Sequence, residues 1–454
     1  MKYILCADFG STYSKLTAID VLSREIIGTS KAYTTVETHI LEGFNKALAQ
    51  LESLVGKISY DKTLAASSAA GGLKMIAVGL VPSLTSNAAK MAASSAGAKL
   101  IATYSYELSS AESESIDSAK PDIILLSGGI DGGNKDVILH NAGVIASLVH
   151  EMPVIIAGNK SVSEQVRRII AEGGKPAIIV ENVMPRFGEL NIMPAKTAIR
   201  DLFIERIISA KGLDDAQALL SSEIIPTPLA VFEACELLSV RGSLTAVDVG
   251  GATTDVYSMT DGTPTRPNVI EKGLKEPFAK RSVEGDLGVR YSVPSLVSEA
   301  GLAAVAQNAG LLEAEISAWL DTVSRDASVV AVPGSAGARI DEELAAFCVE
   351  ISVARHSGRM ESVYTHLGEM LIQTGKDLGD VEILIGTGGS IINSPNALTI
   401  LTRALASAED PFTLKPRDPR IIIDTGNILT AMGLLSRVDK DAALAIMSRQ
   451  YGLS

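Results

Sequence analysis

The chain has 454 residues, of which 46% are apolar and 20% charged, and its 53 acidic and 40 basic side chains give a formal charge of −13. This composition excludes global disorder, and the length predicts roughly two to four domains with sizeable cores. A pI near 5.0 and the lack of a basic run argue against nucleic acid or an anionic membrane as the main partner, because both bind Lys/Arg patches.

The N-terminal region and the cysteines bear on compartment and cofactor. Asp8 interrupts the start of the chain before a signal-peptide core can form, and no stretch reaches the ~18 apolar residues of a membrane span, so we expect a cytoplasmic protein. Cys6, Cys235 and Cys348 lie far apart without C-x-x-C spacing. We therefore interpret them as buried small apolar residues, not as metal ligands. The sequence does not indicate the oligomeric state.

Short apolar runs bounded by glycines alternate with Ala/Leu-rich segments of helical period, which predicts an α/β architecture. In chain order, we predict strands at Tyr3–Ala7, Ile123–Leu126, Val154–Ala157, Leu244–Val249, Val381–Ile385 and Ile421–Ile423. We predict helices at Leu41–Leu54, Ser161–Ala171, Ala195–Ala210, Leu302–Ala309 and Ile428–Ser436. We interpret residues 63–102 as tightly packed α/β material and the proline-rich residues 262–294 as an exposed insertion or lid.

Three strand-and-loop units of the first half recur in the second half in the same order. The pairs are residues 4–11 with 245–251, 123–129 with 383–389, and 155–159 with 422–427. Equivalent glycines lie 240, 260 and 268 residues apart, from Gly10 to Gly250, from Gly128 to Gly388 and from Gly158 to Gly426. This collinear order predicts two duplicated halves.

The first candidate site is the segment 8–15, which joins an apolar strand to a second alternating run and so predicts a β-hairpin loop. The backbone N–H groups and hydroxyls of Gly10, Ser11 and Thr12 can form an anion nest for a phosphate. Asp8 can hold a hydrated Mg²⁺, and Lys15 can neutralise phosphate charge. For this motif alone, an ordinary Asp-x-Gly turn is the alternative.

The segment 248–255 repeats this chemistry in a second hairpin. Its loop supplies Gly250, Gly251, Thr253 and Thr254. Asp248 is either a ligand of metal-bound water or a general base for an attacking water, and we interpret Asp255 as a carboxylate that closes the loop. Two such loops can clamp the β- and γ-phosphates of one nucleotide, so the pair favours nucleotide binding over two structural turns.

A third loop, with Gly386, Gly388, Gly389 and Ser390, ends a strand and opens a helix. Paired glycines allow a purine or a ribose to lie against the backbone, although the same pattern also serves tight turns. We interpret its match in the first half, residues 127–133, as a structural turn, with a hinge or a partner surface as alternatives.

Two Asp-x-Gly hairpins, a late Gly-x-Gly-Gly loop and two helices after Ile-x-x-Gly-Asn resemble the actin, Hsp70 and sugar-kinase ATPase superfamily. Within it, the phrases at residues 7–15, 67–75, 125–134 and 283–290 resemble the glutamate mutase accessory family, also called the MutL/GlmL type, over almost the whole chain. The resemblance implies an α/β fold of two duplicated ribonuclease-H-like (actin-like ATPase) lobes with a nucleotide cleft between them. We expect the first lobe at residues 1–197, the second at 198–436 with an insertion near 262–294, and a C-terminal segment, 437–454, that returns to the first lobe.

The superfamily resemblance also implies the roles of individual residues. Phosphate loop one would contain Asp8, Gly10, Ser11, Thr12 and Lys15, phosphate loop two Asp248, Gly250, Gly251, Thr253 and Thr254, and the adenosine loop Gly386, Gly388, Gly389 and Ser390. Asp8, Asp248 and Lys15 would be the catalytic set, with Asp8 and Asp248 as Mg²⁺ ligands. Hinge segments would lie at Gly158–Asn159 and Gly426–Asn427, and Asp424 would organise metal waters or begin a helix. Asn159 or Lys160 would position the attacking water.

The accessory-family resemblance implies an ATP-dependent, chaperone-like factor that reactivates an adenosylcobalamin-dependent mutase by driving release of damaged cofactor. The sequence has no Asp-x-His-x-x-Gly cobalamin motif, so the protein would act on the mutase without binding the corrinoid tightly itself. The residues 285–290 would close over nucleotide, dock the mutase or form a charged surface loop. A small-molecule kinase and a nucleotide-controlled assembly protein of the same fold are the alternatives. The scattered cysteines argue against an iron–sulfur activator.

Overall fold

A computed structural model describes residues 2–10, 13–33, 40–68, 74–95, 98–208, 220–221, 224–366 and 368–453. The chain forms two compact units. Unit 1 contains residues 1–234 and 430–447, and unit 2 contains residues 235–429 and 448–454. The division falls after residue 234, whereas the sequence placed it after residue 197, and the C-terminal segment contributes to both units.

The strands are β1 (Tyr3–Phe9), β2 (Tyr13–Asp20), β3 (Glu25–Tyr33), β4 (Lys62–Ser67), β5 (Lys74–Gly79), β6 (Lys99–Ser105), β7 (Ile123–Leu126), β8 (Val154–Ile156), β9 (Ala177–Ile179), β10 (Ile225–Pro226), β11 (Leu244–Val249), β12 (Thr254–Met259), β13 (Val269–Lys272), β14 (Ala279–Glu284), β15 (Arg359–Thr365), β16 (Gly368–Thr374), β17 (Ile383–Thr387) and β18 (Arg420–Ile423). The helices are Ile40–Val55, Asn87–Ser95, Ser110–Ala119, Asp136–Ser147, Ser163–Glu172, Met193–Ile208, Thr227–Leu238, Val293–Ala300, Leu302–Ala309, Glu313–Arg325, Ala336–His356, Gly389–Ile392, Ala397–Thr402, Leu429–Ser436 and Lys440–Gln450.

The predicted elements are confirmed with shifts of one or two residues at their ends. The Ile123–Leu126, Leu244–Val249 and Leu302–Ala309 predictions agree at both ends. The helix predicted at Ala195–Ala210 begins at Met193, and its last two residues lie outside the described residues. Such small errors are usual at element ends, where the last turn of a helix frays.

Each unit contains a five-stranded sheet, and the two sheets share one topology. The order is β3-β2-β1-β4-β10 in unit 1 and β14-β12-β11-β17-β18 in unit 2. In each order the first two pairings are antiparallel and the last two are parallel. The chain therefore has the duplicated ribonuclease-H-like α/β fold that the resemblance implied.

The duplication is confirmed for the first pair of repeats and corrected for the other two. By position in the sheet, β17 corresponds to β4 and β18 corresponds to β10. The segments that the sequence matched to them, β7 and β8, lie in a separate sheet. The error has a local cause, since every buried strand that ends in a glycine turn carries the same apolar-run-plus-glycine signature.

This separate sheet has the order β6-β5-β7-β8-β9, all parallel, and is inserted in unit 1 between β4 and β10. It is buried on both faces. Met75, Ile123 and Ile155 share a core with the first sheet, whereas the alternate residues Ile76 and Ile124 face a second core formed with flanking helices. Continuous apolar runs are typical of such doubly covered strands. The β4–β6 region also confirms the α/β interpretation of residues 63–102.

The stretch 262–294 is not a single insertion. Its residues 279–284 form β14, the edge strand of the second sheet, and residues 287–290 are largely buried. Before these, β13 pairs with β16 in a small three-stranded sheet with β15. An edge strand can carry charged side chains, so β14 lacks the apolar pattern from which the other strands were predicted.

The three cysteines are buried thiols, as predicted. Burial raises the pKa of Cys6 and of Cys348 to about 12, so both stay protonated and unreactive near neutral pH. Among the described residues, no helix is long and apolar enough to cross a membrane.

Candidate functional site

In unit 1, parallel strands bring Asp8 next to a hydroxyl that is distant in sequence. Asp8 lies one residue before the end of β1, and β1, β4 and β10 end at the same edge of the sheet. Thr227, the first residue after β10, donates its hydroxyl to Asp8 Oδ1 at 2.7 Å. The sequence analysis missed Thr227 because the two-residue strand before it carries no recognisable pattern.

The strands on either side of the segment 8–15 pair as the predicted hairpin. Asp8 and Lys15 are opposite each other in the antiparallel β1–β2 pair, and Gly10 N donates to Tyr13 O at 3.1 Å. A Cβ on Gly10 would lie 2.7 Å from that oxygen, so the turn requires glycine. The proposed phosphate ligands Ser11 and Thr12 lie outside the described residues.

The Asp8 carboxylate is half-buried among groups that favour its charge. Burial raises the pKa of Asp8, while Lys15 and the hydroxyls of Thr227 and Thr430 act in the opposite direction. A carboxylate with hydroxyl donors on one side and a cation opposite is suited to hold a water of a hydrated divalent ion.

The second hairpin closes in the same way. Gly250 N donates to Thr253 O at 2.9 Å, and Asp248 and Asp255 are opposite each other in the β11–β12 pair. Asp255 forms a buried ion pair with Arg281 of β14 at 2.6 Å. Asp255 is thus a structural carboxylate that holds the edge strand, in line with the favoured interpretation.

The third loop lies beside Asp248, within unit 2. Gly386 and Thr387 belong to β17, and Gly389 and Ser390 begin the helix Gly389–Ile392. Between them, Gly388 has a φ of +91°. A Cβ on Gly388 would lie 2.4 Å from Val249 O and 2.7 Å from Asp248 Oδ1. The glycine therefore allows the loop to pass directly over the end of β11.

Asp424 is a buried carboxylate at the carboxyl end of β18 in unit 2. It is the first residue after β18 and accepts hydrogen bonds from Ile428 N at 2.9 Å and from the Thr387 hydroxyl at 3.2 Å. Its place in the sheet corresponds to that of Thr227 in unit 1. Burial raises the pKa of Asp424 to about 6. The sequence left open whether Asp424 serves the metal or a helix, and the bond to Ile428 N just before the helix Leu429–Ser436 supports helix entry.

The C-terminal residues of unit 2 lie next to β18 and Asp424, a placement that the sequence did not indicate. Burial raises the pKa of the Tyr451 phenol, and the neighbouring Asp424 carboxylate raises it further. Arg420 of β18 donates to Tyr451 O at 3.1 Å and to Gly452 O at 2.9 Å. A lone tyrosine near the end of a chain gives no sequence signal for such a role.

Gly426 and Asn427 lie in the turn after β18, where Asn427 N donates to Asp424 O at 2.8 Å. The expected partner hinge, Gly158–Asn159, follows β8 in the separate sheet and is not its counterpart. The Asn159 side chain is fully buried and bonds Gly132 N, Gly133 O and Asn134 O.

Lys160 pairs with Asp131 at 3.4 Å. Asn159 and Lys160 therefore hold the glycine loop at 127–133, in line with its interpretation as a structural turn. These contacts argue against the expected role of Asn159 or Lys160 in positioning the attacking water.

The carboxylates of the two hairpins are candidates for holding metal-bound water. Among the described residues, no group of three or more His, Cys, Asp or Glu side chains could hold a metal ion. Mg²⁺ is commonly held by one or two carboxylates together with water and substrate phosphates. Asp8 and Asp248, each at the end of the first strand of its sheet, are the residues in each unit that would take this role.

The fold and the two hairpins define an α/β protein of the duplicated ribonuclease-H-like class. The family model described as MutL protein matches residues 4–451, and the chain belongs to this family. It is 44% identical over 459 residues to Protein MutL from Clostridium tetanomorphum, with 99% of each chain covered.

Two solved structures have weaker overall similarity. Nucleotide-free acetone carboxylase matches 96% of this chain and 70% of its own at 10% identity, with a TM-score of 0.40. Plasmodium falciparum glycerol kinase with ADP matches 98% of this chain and 92% of its own at 10% identity, with a TM-score of 0.33. Similarity at this level says nothing about activity.

Proposed function

We propose that this protein is a Mg-ATP-dependent accessory factor that reactivates an adenosylcobalamin-dependent mutase of the glutamate mutase or aminomutase type. ATP hydrolysis would drive the release of damaged cofactor from the mutase. The observation that carries the ATPase part is the repeated hairpin, in which a glycine turn follows a carboxylate at the end of the first strand in each sheet. Family membership supports the mutase as partner.

Each group of residues has a proposed role that follows from its chemistry. The glycine turns present backbone N–H groups to phosphate oxygens, and Lys15 adds a positive charge. Asp8 and Asp248 would hold waters of Mg²⁺, and one of them would orient the attacking water. The metal, when bound, neutralises charge on the phosphates. Gly386, Gly388, Gly389 and Ser390 would face the adenosine.

Coupling to a partner follows from differential binding. A nucleotide that binds one conformation of the protein more tightly than another shifts the population toward it, and hydrolysis removes that bias. A partner that prefers one of these conformations is then bound and released in step with ATP turnover. This requires no corrinoid site in the accessory protein.

The test measures recovered mutase activity. Purified protein is mixed with an inactivated adenosylcobalamin mutase, fresh cofactor and Mg-ATP, and parallel reactions contain a non-hydrolysable ATP analogue or the Asp248→Ala variant. We expect recovery only with hydrolysable ATP and intact Asp248. Asp326→Ala is the matched control, because Asp326 is an exposed loop carboxylate of the same unit that bonds only Ser328 among the described residues.

The other outcomes separate the alternatives. ATP hydrolysis that rises only with one small metabolite would favour a kinase, and nucleotide-dependent sedimentation without mutase recovery would favour an assembly protein. Absence of both ATP binding and recovery would refute the proposal.

A further inference from the structure

The loop of the second hairpin is held from one side through its carbonyl oxygens. Three consecutive carbonyls, at residues 250–252, accept hydrogen bonds from a single segment, Gly285–Ser292, which we call the supporting segment. The bonds run from Val289 N to Gly250 O at 3.2 Å, from Arg290 N and Tyr291 N to Gly251 O at 2.8 Å each, and from Ser292 Oγ to Ala252 O at 2.6 Å.

These bonds also fix the direction of three N–H groups. In a trans peptide the C=O and the following N–H point in opposite directions, and the described residues contain no cis peptide. The N–H groups of residues 251–253 therefore point away from the supporting segment. None of the three has an acceptor among the described residues. Three adjacent N–H groups aimed outward are the donors that an anion nest requires.

The supporting segment is itself tightly packed. Leu287 is fully buried, and its carbonyl accepts the Thr254 hydroxyl at 2.8 Å. A Cβ on Gly288 would lie 2.5 Å from the Ala252 carbonyl carbon and 2.6 Å from Gly251 O. The segment thus touches the hairpin with backbone against backbone, which excludes its interpretation as a free surface loop.

Arg290 anchors the segment to the helical layer of unit 2. Its guanidinium forms two bonds to Asp341, at 3.0 and 2.7 Å, and a third to Val289 O at 2.7 Å. Asp341 also accepts the Trp319 indole N–H at 2.9 Å. A paired, planar contact of this kind restricts orientation as well as distance.

We propose that Ser292 and Arg290 are positioning residues that hold the N–H groups of residues 251–253 in place for the triphosphate of ATP. This inference rests on the proposed nucleotide function. It gives the phrase at residues 283–290 a role in shaping the phosphate loop, in place of mutase docking.

The test has one readout that needs no nucleotide and one that does. Deuterium uptake at the amides of residues 289–291 reports whether their bonds to the hairpin form, and calorimetry gives the affinity for ATP and for adenosine. In Ser292→Ala we expect uptake at 289–291 to rise at least about fivefold and ATP affinity to fall about five- to tenfold, with adenosine affinity unchanged. Ser292→Thr, which keeps the hydroxyl, should restore both. Ser357→Ala removes a comparable hydroxyl-to-carbonyl bond in the same unit and is the control.

Three results would overturn the inference, and they differ from failure of the proposed function. Wild-type amides 289–291 that exchange as fast as an exposed coil would show that the supporting segment does not bond the hairpin. Wild-type values for both readouts in Ser292→Ala, or an equal loss for adenosine and ATP, would show that the supporting segment does not position phosphate. Protected amides in a wild-type protein that binds no ATP would instead refute the nucleotide function, and the positioning role with it.

Discussion

Asp8 and Asp248 occupy equivalent places in the two sheets, yet their neighbours differ in charge. The residue opposite Asp8 is Lys15, whereas the residue opposite Asp248 is Asp255, whose charge is paired with Arg281. The two hairpins therefore share backbone geometry without sharing electrostatics. We expect the two carboxylates to be non-interchangeable in hydrolysis.

The first prediction concerns these carboxylates. Asp8→Ala and Asp248→Ala should each lower ATP turnover at least about 100-fold, because each removes a group that holds metal water or orients the attacking water. Circular dichroism should show an intact fold, since each residue lies one position before the end of its strand and neither side chain is part of an apolar core. Asp326→Ala should retain wild-type turnover. Turnover within twofold of wild type in either folded variant would contradict the site assignment.

The second prediction concerns Asp424. Its pKa of about 6 exceeds the ordinary value of 3.8, so the folded state binds the proton more tightly than the unfolded state. Its contribution to stability is full below pH 3.8 and is lost as the pH rises through about 6. Asn does not titrate, so Asp424→Asn should gain stability relative to wild type across this window, by at most about 3 kcal/mol at pH 7.

Urea unfolding of the nucleotide-free protein at several pH values between 4 and 7.5 measures this difference. Asp326→Asn is the control, because hydrogen bonds from Ser328 lower the pKa of Asp326, so its effect on stability with pH has the opposite sign to that of Asp424. A difference between wild type and Asp424→Asn that does not change with pH would show that Asp424 is not perturbed as described.

At the scale of elements, close backbone packing decides where glycine is required. Within unit 1, Gly433 of the helix Leu429–Ser436 packs against Ala230 of the helix Thr227–Leu238, and a Cβ on Gly433 would lie 1.8 Å from Ala230 O. Gly143, on the exposed side of the helix Asp136–Ser147, has no atom within 4 Å of such a Cβ. Of these three helices the sequence predicted only Leu429–Ser436, one residue longer at its start, and it could not separate the two glycines.

The third prediction uses this contrast. Gly433→Ala should lower the free energy of unfolding by about 1–3 kcal/mol, because the helices must separate to admit the methyl group. Gly143→Ala should raise it by about 0.5–1 kcal/mol, because alanine has the higher helix propensity and nothing opposes it. Denaturant unfolding of the two variants measures both effects. Equal changes in the two variants would show that the helix contact is looser than described.

At the scale of the whole molecule, the two units differ by what they insert between equivalent strands. Unit 2 places residues 388–419 between β17 and β18, whereas unit 1 places residues 68–224 between β4 and β10, including the parallel sheet. One face of that sheet packs in the same core as Leu5 and Phe9. The insertion is therefore part of the core of unit 1 rather than an appended domain.

The fourth prediction follows from this shared core. A fragment of residues 74–184 should not fold to a native state by itself, because Met75, Ile123 and Ile155 would be exposed on an uncovered face. We expect poor dispersion in its NMR spectrum and strong binding of a hydrophobic dye, with unit 1 residues 1–234 and 430–447 required for native packing. A well-dispersed spectrum from the isolated fragment would show that the parallel sheet has an independent core.

The sequence by itself determined the class of fold, the positions of six strands and five helices, the two glycine hairpins with Asp8 and Asp248, and the family. Each of these depends on local chemistry: apolar period, turn residues and phrases read along the chain. Only the tertiary structure decided which strands are equivalent, since β4 and β10 replaced β7 and β8, and which residues support the hairpins. Thr227 and Ser292 contact the hairpins through hydrogen bonds to segments that are remote in sequence, and Tyr451 lies beside Asp424. Contacts of that range leave no local pattern in the sequence.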